Sequence, residues 1–301
     1  MKITTLEDKT IERESLVSVK KMNHIYEICY LEHRNNKATI QLLDKDNYVL
    51  LSTGEVKEIN HIENRSESKA EVSQSLKRLR DYINTNVIEV NNCKWITLTY
   101  AENMTDTKRL YIDFKKFIMR FKYKYGNIEY IVAMEPQNRG AWHCHCIIIF
   151  DKKAPYIKNK EIETLWQQGF TKTQKLDDID NIGAYLTAYL GDMSLDECNT
   201  ANIGYSKSDL KEVSEIGSQK LKEPKYFVKG ARLAMYPPNF NIYRISRGIK
   251  KPIKEYMSYH VAKEKAGLRL PTYSKAIQLT DLDNNFTNKI IYEYYNTKRE
   301  K

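Results

Sequence analysis

Two apolar runs, "NIEYIVAME" (127–135) and "AWHCHCIIIF" (141–150), are joined by "PQNRG" and constrain this chain more than any other stretch. Both are rich in β-branched and aromatic residues, and the proline, asparagine and glycine between them are turn formers, so the segment reads as a β-hairpin. Neither run alternates polar with apolar. Strands that are apolar on both faces belong in the middle of a sheet covered on each side. Three polar groups interrupt the pattern: Glu135, His143 and His145. A buried polar group needs a hydrogen-bond or ligand partner, so these three demand an account.

Elements that could cover such a sheet lie on both sides. "KWITLTY" reads as a strand. A helix follows, with Asp106 as its cap, Leu110, Phe114, Phe117, Ile118 and Phe121 as its buried stripe, and Gly126 just past its end. Upstream, Val72, Leu76, Leu79 and Ile83 recur at helical spacing. Downstream come a polar helix near 159–168, a strand in "GFTKTQKL" and a helix over 180–190. Strands mixed with helices in this order give an α+β fold. Residues 1–70, with strand-like pieces, form an N-terminal accessory region, 71–192 the central domain, and 193–301 a basic C-terminal extension. The last thirty or so residues read as a terminal helix with a charged tail.

With 49 Lys and Arg against 39 Asp and Glu, the net charge is +10, which suits a polyanionic partner. The five cysteines show no CxxC spacing, so neither a disulfide framework nor a zinc finger is indicated. The glycine-rich loop of P-loop ATPases is absent. No stretch is apolar enough to span a membrane, and the charged start "MKITTLEDKTIERE" does not read as a secretory signal, so a cytoplasmic location is expected.

Successive side chains of a strand point to opposite faces, so His143 and His145 share one face while Cys144 and Cys146 share the other. A His2Cys2 zinc site within this segment is thereby excluded. A symmetric five-residue loop over Pro136–Gly140 pairs Glu135 with Ala141, Ala133 with His143 and Ile131 with His145. Glu135 then lies diagonal to His143, about 7 to 8 Å away between backbones. Two imidazoles and a carboxylate on one face suit Mg2+ or Mn2+ with positions left for water or phosphate oxygens. The competing reading is an ordinary structural His-x-His pair; the carboxylate at matching parity favours the metal.

On "DNIGAYLTAYLGD", Ile179, Ile182, Leu186 and Leu190 form one stripe, and Tyr185 and Tyr189 sit four apart on the next. Among 22 tyrosines such a pair also arises without function. Beside a metal, however, a phenol can attack a phosphodiester.

These pieces together resemble the HUH endonuclease superfamily, in particular the rolling-circle replication initiator (Rep) proteins of bacterial plasmids and single-stranded DNA phages. "WITLTYAEN" (95–103) resembles the first motif, "HCH" (143–145) the His-hydrophobe-His motif and "YLTAYL" (185–190) the tyrosine motif, in the order that initiators show and conjugative relaxases do not. Glu135 is similar in placement to the acidic ligand of several initiators. Many relatives carry lysines where this chain has Ala188 and Asp192, so the phosphate-orienting charge is expected elsewhere, at Lys172 or Lys175.

The resemblance implies a central antiparallel sheet flanked by helices, ferredoxin- or RRM-like, with the histidines on the sheet and the tyrosine helix above it. It implies a site-specific nickase and rejoining enzyme for single-stranded or cruciform origin DNA. Glu135, His143 and His145 would hold Mg2+ or Mn2+, and Tyr185 or Tyr189 would form a 5′ phosphotyrosine, leaving a free 3′ hydroxyl. A host helicase and DNA polymerase are the implied partners. The alternatives are a non-catalytic nucleic-acid binder of this fold and a transposase of the superfamily.

Overall fold

A computed structural model describes residues 2–34, 38–176, 181–187, 190–200, 203–216, 219–281 and 286–299. The chain divides into two compact units, one of residues 63–251 and one that combines 1–62 with 252–301. Among the described residues no helix is long and apolar enough to cross a membrane.

In the unit 63–251, five antiparallel strands form the main sheet. They are β1 (Cys93–Thr99), β2 (Ile128–Pro136), β3 (Trp142–Phe150), β4 (Thr171–Gln174) and, further along the chain, Tyr243–Ile245. Their order across the sheet is β4, β1, β3, β2, then Tyr243–Ile245. The histidine strand β3 is therefore central, as its two apolar faces require. Helix α2 (Thr107–Tyr125) begins at Asp106, whose side chain accepts the Lys108 and Arg109 amides, and ends at Gly126 with φ +81°. Its residues Leu110, Phe114, Phe117 and Phe121 pack on one face of the sheet against Ile96, Leu98, Cys144, Cys146 and Ile148. Each of these large side chains contributes roughly 1.5–3 kcal/mol of hydrophobic burial, so this face is sealed.

The other face is only partly covered. Helix α1 (Lys69–Asn86) and the short α4 (Ile182–Thr187) lay Leu79, Ile83 and Ile182 on Ile131, Ala133 and Ile147. Helix α3 (Asn159–Trp166) precedes β4 and puts Trp166 into the sealed face. Past the tyrosine helix, a three-stranded sheet of Met193–Ser194, Leu210–Ile216 and Gln219–Val228 follows. The chain then returns through Gly230–Ile242, where Leu233, Tyr236, Phe240 and Ile242 enter the α2-side core. Residues well beyond the histidine motif are thus part of its scaffold. The expected helix over 180–190 is shorter where it is described, and residues 177–180, 188 and 189, with Ile179 of the apolar stripe, lie outside the described residues.

The second unit centres on a six-stranded antiparallel sheet in the order Lys2–Leu6, Tyr273–Asp281, Phe286–Asn296, Ile25–Leu31, Leu16–Met22, Ile253–Ser258. Helix Tyr259–Lys265 packs Ala262 on one of its faces. The expected terminal helix is corrected here: residues 273–281 and 286–296 are paired strands. Ile290, Ile291 and Tyr295 mimic a helical stripe in spacing, yet all are buried because the last strand lies between two others with both faces covered.

Candidate metal centre

The hairpin that carries the site turns through Gln137–Gly140. The Gly140 amide donates to the Gln137 carbonyl at 2.8 Å, the Gln137 amide donates to the Ala141 carbonyl at 2.8 Å, and Gly140 takes φ +87°. A turn that needs a left-handed glycine in its fourth position places Gly140 inside the loop and draws Pro136 into the strand opposite Trp142. The pairing is therefore two residues away from the symmetric expectation: Glu135 faces His143 directly, Ala133 faces His145 and Ile131 faces Ile147. Parity is unchanged, so the three groups still share a face, and they lie closer than the diagonal arrangement would allow.

Glu135 Oε2 is 3.3 Å from His143 Nε2 and 3.4 Å from His145 Nε2. One ligand atom from each of the three residues falls within 4.8 Å of the other two. The imidazole rings meet edge to face with centroids 4.5 Å apart. Thr97 Oγ1 lies 3.5 Å from His145 Nδ1, leaving Nε2 turned to the carboxylate. Burial opposes ionisation of Glu135, but hydrogen bonds from His143 and His145 and the charge of Arg232 hold its carboxyl well below the usual carboxylate range. Burial lowers the His143 pKa below 6.5 despite the pull of Glu135. An ionised oxygen and a neutral imidazole are the forms that ligate, so the donor set fits a divalent cation. Cys144 and Cys146 are fully buried on the opposite face, where desolvation pushes both thiols up, and they take no part.

Around the triad opens a cleft of about 430 Å³, lined among others by Trp95, Leu186, Leu190, Phe227 and Arg232. Leu186 belongs to α4, so the helix that carries the Tyr185 backbone borders the site. The side chain of Tyr185 and the whole of Tyr189 lie outside the described residues. Helix α4 is docked on α1 by polar contacts. Asn84 accepts the Gly183 amide at 2.8 Å, and Arg80 Nε donates to Thr187 Oγ1 at 3.4 Å.

Of the two lysines expected to supply positive charge, Lys172 is exposed and in register with Thr97, which in turn faces His145. It therefore shares the face of the triad. Lys175 lies just past the end of β4 and is also exposed. A third cation, Arg232, was not foreseen. Its Nε is 3.2 Å from Glu135 Oε1, inside the site. Only the basic, arginine-containing character of the C-terminal segment hinted at it. Asp192, standing where relatives place lysine, accepts the Gly230 amide at 2.8 Å and so anchors the loop that delivers Arg232.

Residues 93–194 match the family model for replication-associated proteins of the ORF2 type. The match covers β1 through the tyrosine helix and stops at the first strand of the three-stranded sheet. It supports a role in DNA replication for that part of the chain and leaves out α1, Arg232 and Tyr243–Ile245. No curated protein matches the chain.

Proposed function

We propose that this protein is a rolling-circle replication initiator of the HUH type, a site-specific single-strand DNA nickase and ligase. The observation that carries this reading is the meeting of Glu135 Oε2 with both histidines on an open sheet face, bordered by the helix that bears Tyr185. Bound Mg2+ or Mn2+ supplies a Lewis acid for a phosphodiester oxygen there. Glu135, His143 and His145 orient that ion, and α4 holds the tyrosine segment beside the cleft. Tyr185 or Tyr189 attacks the phosphorus, the P–O3′ bond breaks, and the DNA is left with a 5′ phosphotyrosine and a 3′ hydroxyl that primes a host polymerase. The linkage keeps the energy of the broken bond, so the 3′ hydroxyl of a later strand can reverse the step. Lys172, on the face of the triad, is placed to meet a flanking phosphate. Origin DNA in single-stranded or cruciform form is the substrate, and a host helicase opens the duplex. The compact unit 63–251 is the nicking module.

The test is incubation of the chain with Mn2+ and an origin-derived oligonucleotide. The expected result is a covalent protein–DNA adduct that disappears in the Tyr185→Phe, Tyr189→Phe double variant. DNA binding without any adduct would favour a non-catalytic binder.

A further inference from the structure

The two oxygens of Glu135 have different company. Oε2 faces the imidazoles, while Oε1 accepts the Gly191 amide at 3.2 Å and pairs with Arg232 Nε at 3.2 Å. The Arg232 residue is only 8% exposed, and a buried arginine is tolerated when its donors are engaged. Nη1 donates to the Pro136 carbonyl at 2.8 Å, Nε also reaches the Asp192 carbonyl at 3.2 Å, and Nη2 donates to Glu197 Oε2 at 3.2 Å. One side chain therefore grips the carboxylate of Glu135 and the backbone of the next residue. Gly191, at φ +85°, completes the grip: a Cβ there would meet the Leu233 side chain at 3.1 Å.

We infer that Arg232 is a positioning residue that reserves Oε1 of Glu135 and leaves Oε2 alone for the ion, making Glu135 a one-oxygen ligand. The ion then has three protein ligand atoms instead of four, which leaves an additional place for substrate oxygens. Pairing with a cation also draws charge from the carboxylate, so the ion is held reversibly. Lysine cannot replace this fork, because a single ammonium does not span the carboxylate and the Pro136 carbonyl in fixed geometry. The inference rests on the metal reading of the triad.

The experiment is Mn2+ titration of the full chain, wild type against Arg232→Lys, with His143→Ala as the control for site occupancy and circular dichroism as the check on folding. Arg232→Lys is expected to weaken Mn2+ binding on the order of tenfold or more, in line with the loss of an outer-shell partner. Infrared difference spectra of metal-loaded minus metal-free protein are expected to show a one-oxygen carboxylate pattern in the wild type that changes toward a two-oxygen pattern in the variant. Unchanged or tighter Mn2+ binding with an unchanged carboxylate pattern overturns the inference. If Arg232→Lys does not fold, Glu197→Gln carries the test: freeing the guanidinium from its counter-charge strengthens its hold on Glu135 and weakens Mn2+ binding, and equal affinity overturns the inference. If the wild type takes up no ion that His143→Ala removes, the metal reading itself fails and this inference with it.

Discussion

The Gly183 amide donates to the Asn84 side-chain oxygen at 2.8 Å, and a Cβ on Gly183 would lie 2.6 Å from the Arg80 carbonyl. Helix α4 thus sits on α1 at a distance that only glycine allows. Because α4 carries Tyr185, this contact sets where the tyrosine segment meets the metal face. Gly183→Ala is expected to push α4 away from α1 and to lower adduct formation on the order of a hundredfold, as a displacement near 1 Å does in other enzymes. Mn2+ binding, which depends on the sheet, is expected to stay at the wild-type value. Parallel measurement of adduct yield and Mn2+ titration checks this, and a loss of both together contradicts it.

The pH dependence of ion binding follows from His143. Its pKa lies below 6.5, so the imidazole is already neutral at pH 7 and a proton competes with the ion only as the pH falls below that value. Glu135 remains ionised across the same window, since its pKa is held far lower. Mn2+ affinity is expected to be level from about pH 7 to 8 and to fall below about pH 6, by up to about tenfold per pH unit for each proton displaced. Titration across this range provides the check; a steep rise between pH 7 and 8 would show that His143 holds its proton.

The cysteines provide a contrast on the same strand. All five are free and buried, and burial pushes the Cys93 thiol up to about 12. The native protein is expected to react slowly with a thiol reagent and to release all five groups in denaturant. Cys144→Ala is expected to cost stability through the lost packing against α2, while Mn2+ affinity is retained. Lost affinity would mean that the two faces of β3 are not independent.

In the other unit, strands 273–281 and 286–296 pair with each other and, on either side, with Lys2–Leu6 and Ile25–Leu31. Deleting residues 252–301 is expected to leave an unpaired edge on Ile25–Leu31 and to cause aggregation. The fragment 63–251 keeps both cores of its sheet and is expected to remain monomeric and to bind Mn2+ as the full chain does. Size-exclusion chromatography and Mn2+ titration of the two truncations test this.

What the amino-acid order disclosed divides along physical lines. Side-chain parity on a strand is a local property, so the common face of Glu135, His143 and His145 was legible, as were Asp106 and Gly126 at the ends of α2. The pairing register depends on the backbone geometry of the turn, and the left-handed Gly140 moved it by two residues. Arg232 stands 96 positions beyond Pro136, whose carbonyl it holds, and no local pattern announces such a contact. The last strand misled because isoleucine and tyrosine pairs buried on both faces imitate the spacing of a helical stripe.

The central claim is that a tyrosine of the α4 segment becomes joined to DNA beside the Glu135, His143 and His145 triad. Mass-spectrometric mapping of the peptide left on an origin oligonucleotide after Mn2+-dependent cleavage tests it most directly. The account predicts a nucleotide mass on the peptide that contains Tyr185 and Tyr189, absent when His143 is replaced by alanine. Cleavage with no peptide attached, or attachment to a residue outside that segment, would contradict it.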